Sequence, residues 1–143
     1  MITEMTQPAL KRRLRAPKIV INGEDLAHIE ALAEGAFQRN PTLADRLLDE
    51  ISRARVVKPA RMPPNVVAIG STVTYRDETT GAERTVTLTY PEDADISRQR
   101  VSLVTPIGVA LLGLAEGSSF HWDTRANRRR MLTVISVTPP EPA

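Results

Sequence analysis

The chain has 143 residues, 41% of them hydrophobic, which is enough for one modest core with a small appended element. Its 3% aromatic content argues against an aromatic-lined pocket or a base-stacking surface, and the absence of cysteine excludes disulfides and thiolate metal sites. The net charge of +2 is unevenly divided: residues 1–23 hold Lys11, Arg12, Arg13, Arg15 and Lys18 against Glu4, a surplus of +4, and the remainder holds 14 basic against 16 acidic residues, or −2.

No apolar run approaches the roughly 18 residues of a membrane span, and the N-terminus lacks the apolar stretch of a signal peptide. The expectation is a cytoplasmic protein with no membrane contact. Residues 1–17 read as a disordered basic tail. Lys11, Arg12, Arg13 and Arg15 could make weak, non-specific contact with nucleic acid, but no aromatics interleave with them to support sequence-specific recognition.

Residues 18–57 predict a helical hairpin. Ile19-Val20-Ile21 is a short apolar run before Asn22, a helix cap followed by Glu24 and Asp25 in the first turn. Leu26, Ile29, Ala33 and Phe37 recur at helical spacing. Asn40-Pro41 restarts a second helix with the stripe Leu43, Leu47, Ile51 and Ala54. Two helices of about 15 residues, each about 22 Å long, form a short antiparallel hairpin whose tip is Phe37, Gln38, Arg39 and Asn40. Pro59, Pro63 and Pro64 make residues 58–65 a linker.

Residues 66–138 change period. Val73 and Tyr75 alternate with Thr72, Thr74 and Arg76; after the turn at residues 77–81, Val86, Leu88 and Tyr90 alternate with Thr85, Thr87 and Thr89. This is the pattern of half-buried antiparallel strands with threonine on the wet face. Val101–Val104 is a third strand. Thr105 then serves as N-cap, Pro106 takes the first helical position, and Gly113 closes a helix of about two turns. Ile107, Ala110, Leu111 and Leu114 form one face, while Val109 and Leu112 fall on another. A helix so short and apolar on two sides must be sandwiched or must offer one side to a partner. Residues 119–123 and 131–137 complete the sheet, and 139–143 form a frayed tail. The fold class is α+β.

Chemistry-bearing motifs are missing. His28 falls outside the first helix's stripe, His121 lies opposite Phe120 and Trp122, and neither has metal-ligand spacing. There is no phosphate loop, dinucleotide fingerprint or nucleophile motif. The expectation is a non-enzyme without cofactor, and a monomer.

The residues nevertheless carry a resemblance. Glu92-Asp93-Ala94-Asp95, Val101-Ser102, Thr105-Pro106-Ile107 through Gly113, and Glu116-Gly117 resemble the C-terminal domain of the Gre transcript-cleavage factors, in which an acidic loop runs into a strand and a Ser-Pro-capped helix. Ile19–Asn22, Met62-Pro63, Thr89-Tyr90-Pro91, Ala110–Leu114 and Phe120-His121-Trp122 resemble the Rnk family, the regulators of nucleoside diphosphate kinase, which are Gre-like with a shortened hairpin. The chain departs from the pattern in its Arg-rich N-terminal extension and in Ser118-Ser119, where Gre-like proteins often carry an acid.

The resemblance implies a short coiled coil plus an FKBP-like domain that binds bacterial RNA polymerase at the rim of its secondary channel. By position, the docking residues would be Asp95, Thr105, Pro106, Ile107, Ala110, Leu111 and Leu112. Gre factors hold a metal with acidic residues at the tip of a long hairpin. The tip here carries Arg39 and no carboxylate, on helices about half the needed length. The sequence therefore predicts a non-catalytic regulator that competes with Gre-type factors at one docking surface. The alternative reading is control of nucleoside diphosphate kinase level through expression or protein contact. Prolyl isomerisation, suggested only by the domain's resemblance, and DNA binding through the tail are weaker readings.

Overall fold

Asn22 and Asn40 cap the first two helices as their positions predict. In the computed structural model, which describes residues 19–123 and 129–140, the Asn22 side chain accepts a hydrogen bond from Glu24 N at 2.9 Å and the Asn40 side chain accepts one from Leu43 N at 3.1 Å. Helix α1 spans Gly23–Ala36 and α2 spans Pro41–Arg53, joined by residues 37–40. They pack on each other, and Ile29, Ala33, Leu43, Leu47 and Ile51 are their buried contributions to the core. None of the described helices is long and apolar enough to cross a membrane.

The strands flanking this helical pair differ from expectation. β1 (Val20–Asn22) and β2 (Arg55–Val57) pair in parallel, Ile21 opposite Val56, so the chain enters and leaves the two helices side by side. Three-residue strands show no readable period, which is why the sequence offers only an apolar run and a chain exit at these places. After a 3-10 turn at Pro59–Arg61, the main sheet follows: β3 (Thr72–Asp77), β4 (Glu83–Thr89), β5 (Arg100–Ser102), β6 (Ser119–Asp123) and β7 (Arg129–Thr138), in the order β5-β4-β3-β7-β6.

Pairing is antiparallel except between β4 and β5, which run parallel. The ten residues between those two strands carry the chain back to the start of the sheet edge, a crossing that a hairpin turn would not require. The threonines pair across β3 and β4, Thr72 with Thr87 at 3.0 Å and Thr74 with Thr85 at 2.8 Å. Thr89 leaves that wet row: it is buried and donates to Val101 O at 3.3 Å, because β5 covers it.

Helix α3 (Pro106–Leu111) lies in the middle of this arrangement. Thr105 Oγ1 accepts from Gly108 N at 3.0 Å and donates to Ser102 O at 2.7 Å, so one hydroxyl caps the helix and ties it to β5. A Cβ on Gly108 would fall 2.3 Å from Ser102 O and 2.7 Å from Leu103 O. At the other end Gly113, with φ +80°, would place a Cβ 2.6 Å from Ile19 Cβ, and its carbonyl accepts from Val20 N at 3.1 Å. These two glycines press the helix against the sheet edge and against the chain entering the helical pair. A single hydrophobic cluster consequently runs from Ile19 and Ile29 through Val109 and Leu111 to Leu132 and Val134. Arg46 joins α2 to the far edge of the sheet, donating to His121 O at 2.7 Å with its guanidinium 5.1 Å from the Phe120 ring centre. The buried Glu50 is held by Arg53 at 2.7 Å.

Gly108→Ala should therefore lose about 2–3 kcal/mol in urea denaturation, since the methyl meets rigid backbone. Gly35→Ala, with no heavy atom within 4 Å of the added methyl, should match wild type or exceed it by less than about 1 kcal/mol. Equal stability of the two variants would contradict the close-packing account.

Candidate functional site

The chain between β4 and α3 gathers most of the residues that the sequence singles out. Pro91–Asp93 forms a 3-10 turn and Ile96–Arg98 another, with Asp95 between them. Asp95 and Arg100 exchange two backbone hydrogen bonds, each 2.9 Å, so residues 96–99 form a closed loop on the edge strand. The Asp95 carboxylate accepts from Ser97 N at 3.1 Å and from Ser97 Oγ at 2.6 Å, and lies 3.8 Å from Arg98 Nε. Gln99 closes the loop in the left-handed region with φ 61°. Three residues past β5, Thr105 and Pro106 begin α3. Asp95, Thr105, Pro106 and Ile107 are all half-buried, so each keeps some surface for a partner.

Ala110, Leu111 and Leu112 are not available in that way. None is more than 2% exposed, so they belong to the core rather than to a docking surface. The reason is the packing just described: both apolar sides of α3 are covered, one by the sheet and the other by the helical pair and the chain at Ile19. The choice the sequence left open for this helix resolves as a sandwich. A surface built here reaches the helix only at its first turn.

The turn joining α1 and α2 is exposed. Phe37 is 37% exposed, Gln38, Arg39 and Asn40 are also exposed, and Asn40 commits its side-chain oxygen to the α2 cap. No carboxylate lies in this turn; Glu34 and Asp45 sit back on the two helices. Among the described residues, no group of three or more histidines and carboxylates is arranged to hold a metal ion. Lys11, Arg12, Arg13 and Arg15 lie outside the described residues.

A polar cluster that the sequence did not reveal fixes the acidic segment to α1. The rings of His28 and Tyr90 stack with centroids 3.9 Å apart, His28 Nε2 lies 3.8 Å from Glu92 Oε2, and Tyr90 OH donates to Asp25 Oδ1 at 3.1 Å. His28 thus has a packing partner, although it falls outside the apolar stripe of its helix. The available signal was modest: Asp25 and His28 are three apart on one side of α1, and Tyr90 ends the apolar row of β4. Burial pushes the Asp25 carboxyl above the ordinary carboxylate range, against the Tyr90 hydrogen bond that opposes the shift. Burial, and then the Asp25 charge, push the Tyr90 phenol well above its ordinary value, so it remains a donor throughout the neutral range.

The site is thus an acidic turn, a short edge strand and a Thr-Pro-capped helix on a mostly antiparallel sheet, preceded by two short helices. Residues 62–139 match the family model for the C-terminal part of the transcription elongation factors GreA and GreB, and residues 17–57 match that for the Rnk N-terminus. The chain belongs to the Rnk group of the GreA/GreB family. It is 36% identical over 121 residues to the regulator of nucleoside diphosphate kinase of Escherichia coli (strain K12), covering 85% of this chain and 89% of that protein. It is 38% identical over 73 residues to transcription elongation factor GreA of Azorhizobium caulinodans, covering 51% of this chain and 46% of the factor. Among solved structures, a GreA/GreB elongation factor from Nitrosomonas europaea superposes with a TM-score of 0.67 at 37% identity, covering 86% of this chain and 99% of that one.

The raised Asp25 pKa carries a pH signature. A carboxyl whose folded pKa exceeds its unfolded value adds stability below the unfolded pKa, and that contribution is lost as pH rises through the folded pKa. Asp25→Asn keeps an acceptor for Tyr90 but does not titrate. Wild-type stability relative to Asp25→Asn, from urea denaturation, should be greatest near about pH 3 and should fall towards about pH 7. A wild-type advantage that grows with pH would contradict this assignment.

Proposed function

We propose that this protein is a non-catalytic transcription regulator that docks on bacterial RNA polymerase at the entrance of the secondary channel and competes there with Gre-type factors. Asp95, Thr105, Pro106 and Ile107 form the docking surface, carried on the β5 edge of an FKBP-like domain. The two helices are the counterpart of the Gre hairpin in a shortened antiparallel form. Membership in the GreA/GreB family supports the partner, and the surface exposure left at these four residues supports the site.

The observation that carries the non-cleaving part of the reading is the turn Phe37–Asn40. Metal-assisted cleavage needs carboxylates delivered to the polymerase centre. This turn presents Phe37, Gln38, Arg39 and Asn40 on helices of 14 and 13 residues, each about 20 Å long. Arg39 adds positive charge where a divalent ion would have to sit. Competition then follows from a shared docking site and mass action.

The name of the Escherichia coli relative favours a second reading, in which the protein controls the level of nucleoside diphosphate kinase. The two readings separate in a purified system. Added to a backtracked elongation complex, the protein alone should release no cleavage product, and it should slow Gre-stimulated cleavage in proportion to its occupancy. Cleavage stimulated by the protein itself would overturn the non-catalytic assignment. Undiminished Gre-stimulated cleavage at saturating protein would overturn the competition and leave the kinase reading in its place.

A further inference from the structure

Tyr75 buries its ring but leaves its hydroxyl unpaired. The residue is 6% exposed, and its Oη finds no hydrogen-bond partner among the described residues. A buried phenol is ordinarily paired, so an unpaired one calls for a reason. Tyr75 belongs to the core face of the sheet, with Val73 before it and Asp77 after it on the same side of β3. Arg84 lies directly opposite Tyr75 on β4 and shares that face. Burial pushes the Tyr75 phenol above its ordinary value; the Arg84 charge opposes the shift and the Asp77 charge adds to it. The hydroxyl therefore stays protonated through the neutral range and sits in the field of both charges.

These neighbouring charges are unequally committed. Both carboxylate oxygens of Asp77 are occupied: Oδ1 accepts from Thr79 N at 2.9 Å and Oδ2 from Arg130 Nη1 at 2.8 Å. Arg84 is exposed, and its guanidinium makes no ion pair or hydrogen bond among the described residues. Two guanidinium groups thus stand against one carboxylate, a local surplus of positive charge beside an idle hydroxyl donor. We infer that Tyr75 Oη and Arg84, with Arg130 contributing charge, bind the carboxylate group of a small organic acid or of a peptide C-terminus. A planar monoanion offers two oxygens, which can accept from a guanidinium fork and a hydroxyl together, and it cancels the surplus. A phosphate dianion would leave net negative charge beside Asp77 and is disfavoured.

The test follows backbone and arginine side-chain N–H resonances of the full-length protein by NMR. Sodium acetate, methyl phosphate and N-acetyl-alanyl-alanine are titrated in turn, against sodium chloride at matched ionic strength. Acetate should give saturable shifts at residues 75 and 84, and methyl phosphate should bind more weakly than acetate. Tighter binding of the peptide acid than of acetate would name a peptide terminus as the source of the carboxylate, and equal affinity a small organic acid. Arg84→Gln and Tyr75→Phe should each weaken acetate binding about fivefold or more. Tyr75→Phe should also melt at or above the wild-type temperature, because it removes a hydroxyl that has no partner in the free protein. Shifts that never saturate, or that chloride reproduces, would overturn the site. Tighter binding of methyl phosphate than of acetate would overturn the carboxylate assignment. Tyr75→Phe melting below wild type would show the hydroxyl already engaged within the fold and would overturn its role as a ligand donor.

Discussion

The approach of Gly108 to the carbonyls of Ser102 and Leu103 is the constraint on which this structure depends. A helix of six residues cannot sustain itself in water; it survives here because both of its apolar sides are covered. Gly108 lets it sit directly on the end of β5, and Gly113 lets the chain at Ile19 and Val20 pass beneath its far end. Through that second contact the helical pair and the sheet share one core. The acidic loop, the edge strand and the first turn of the helix are consequently held in fixed relation, a requirement for any surface that must be read by a partner.

Much of this was legible in the sequence because it rests on local chemistry. Asn22, Asn40 and Thr105 each declare a helix start, and each makes the predicted cap hydrogen bond. The alternation of Val73, Tyr75, Val86 and Leu88 with threonines marks the central strands correctly. What escaped was non-local. The pairing of Ile21 with Val56 and the parallel register of Leu88 with Val101 join strands too short to show a period. The His28–Tyr90 stack joins residues that only the fold brings together.

The candidate surface was legible in part. Its motif spans residues 92–113, and the sequence could not divide that span into what packs and what remains accessible. Two-sided apolarity on a short helix is compatible with either outcome, and burial settles it: Leu111 is core, while Thr105, Pro106 and Ile107 keep surface. The same division separates a motif kept for folding from one that meets a partner, and it shifts the proposed contact from the helix body to the loop and the helix start.

Amide hydrogen exchange of the full-length protein, with and without bacterial core RNA polymerase, tests the central claim most directly. The account predicts that residues 108–112 are already protected in the free protein, and that polymerase adds new protection across residues 94–107. Unchanged exchange across residues 94–107, with new protection instead on the threonine face of β3 and β4, would contradict it.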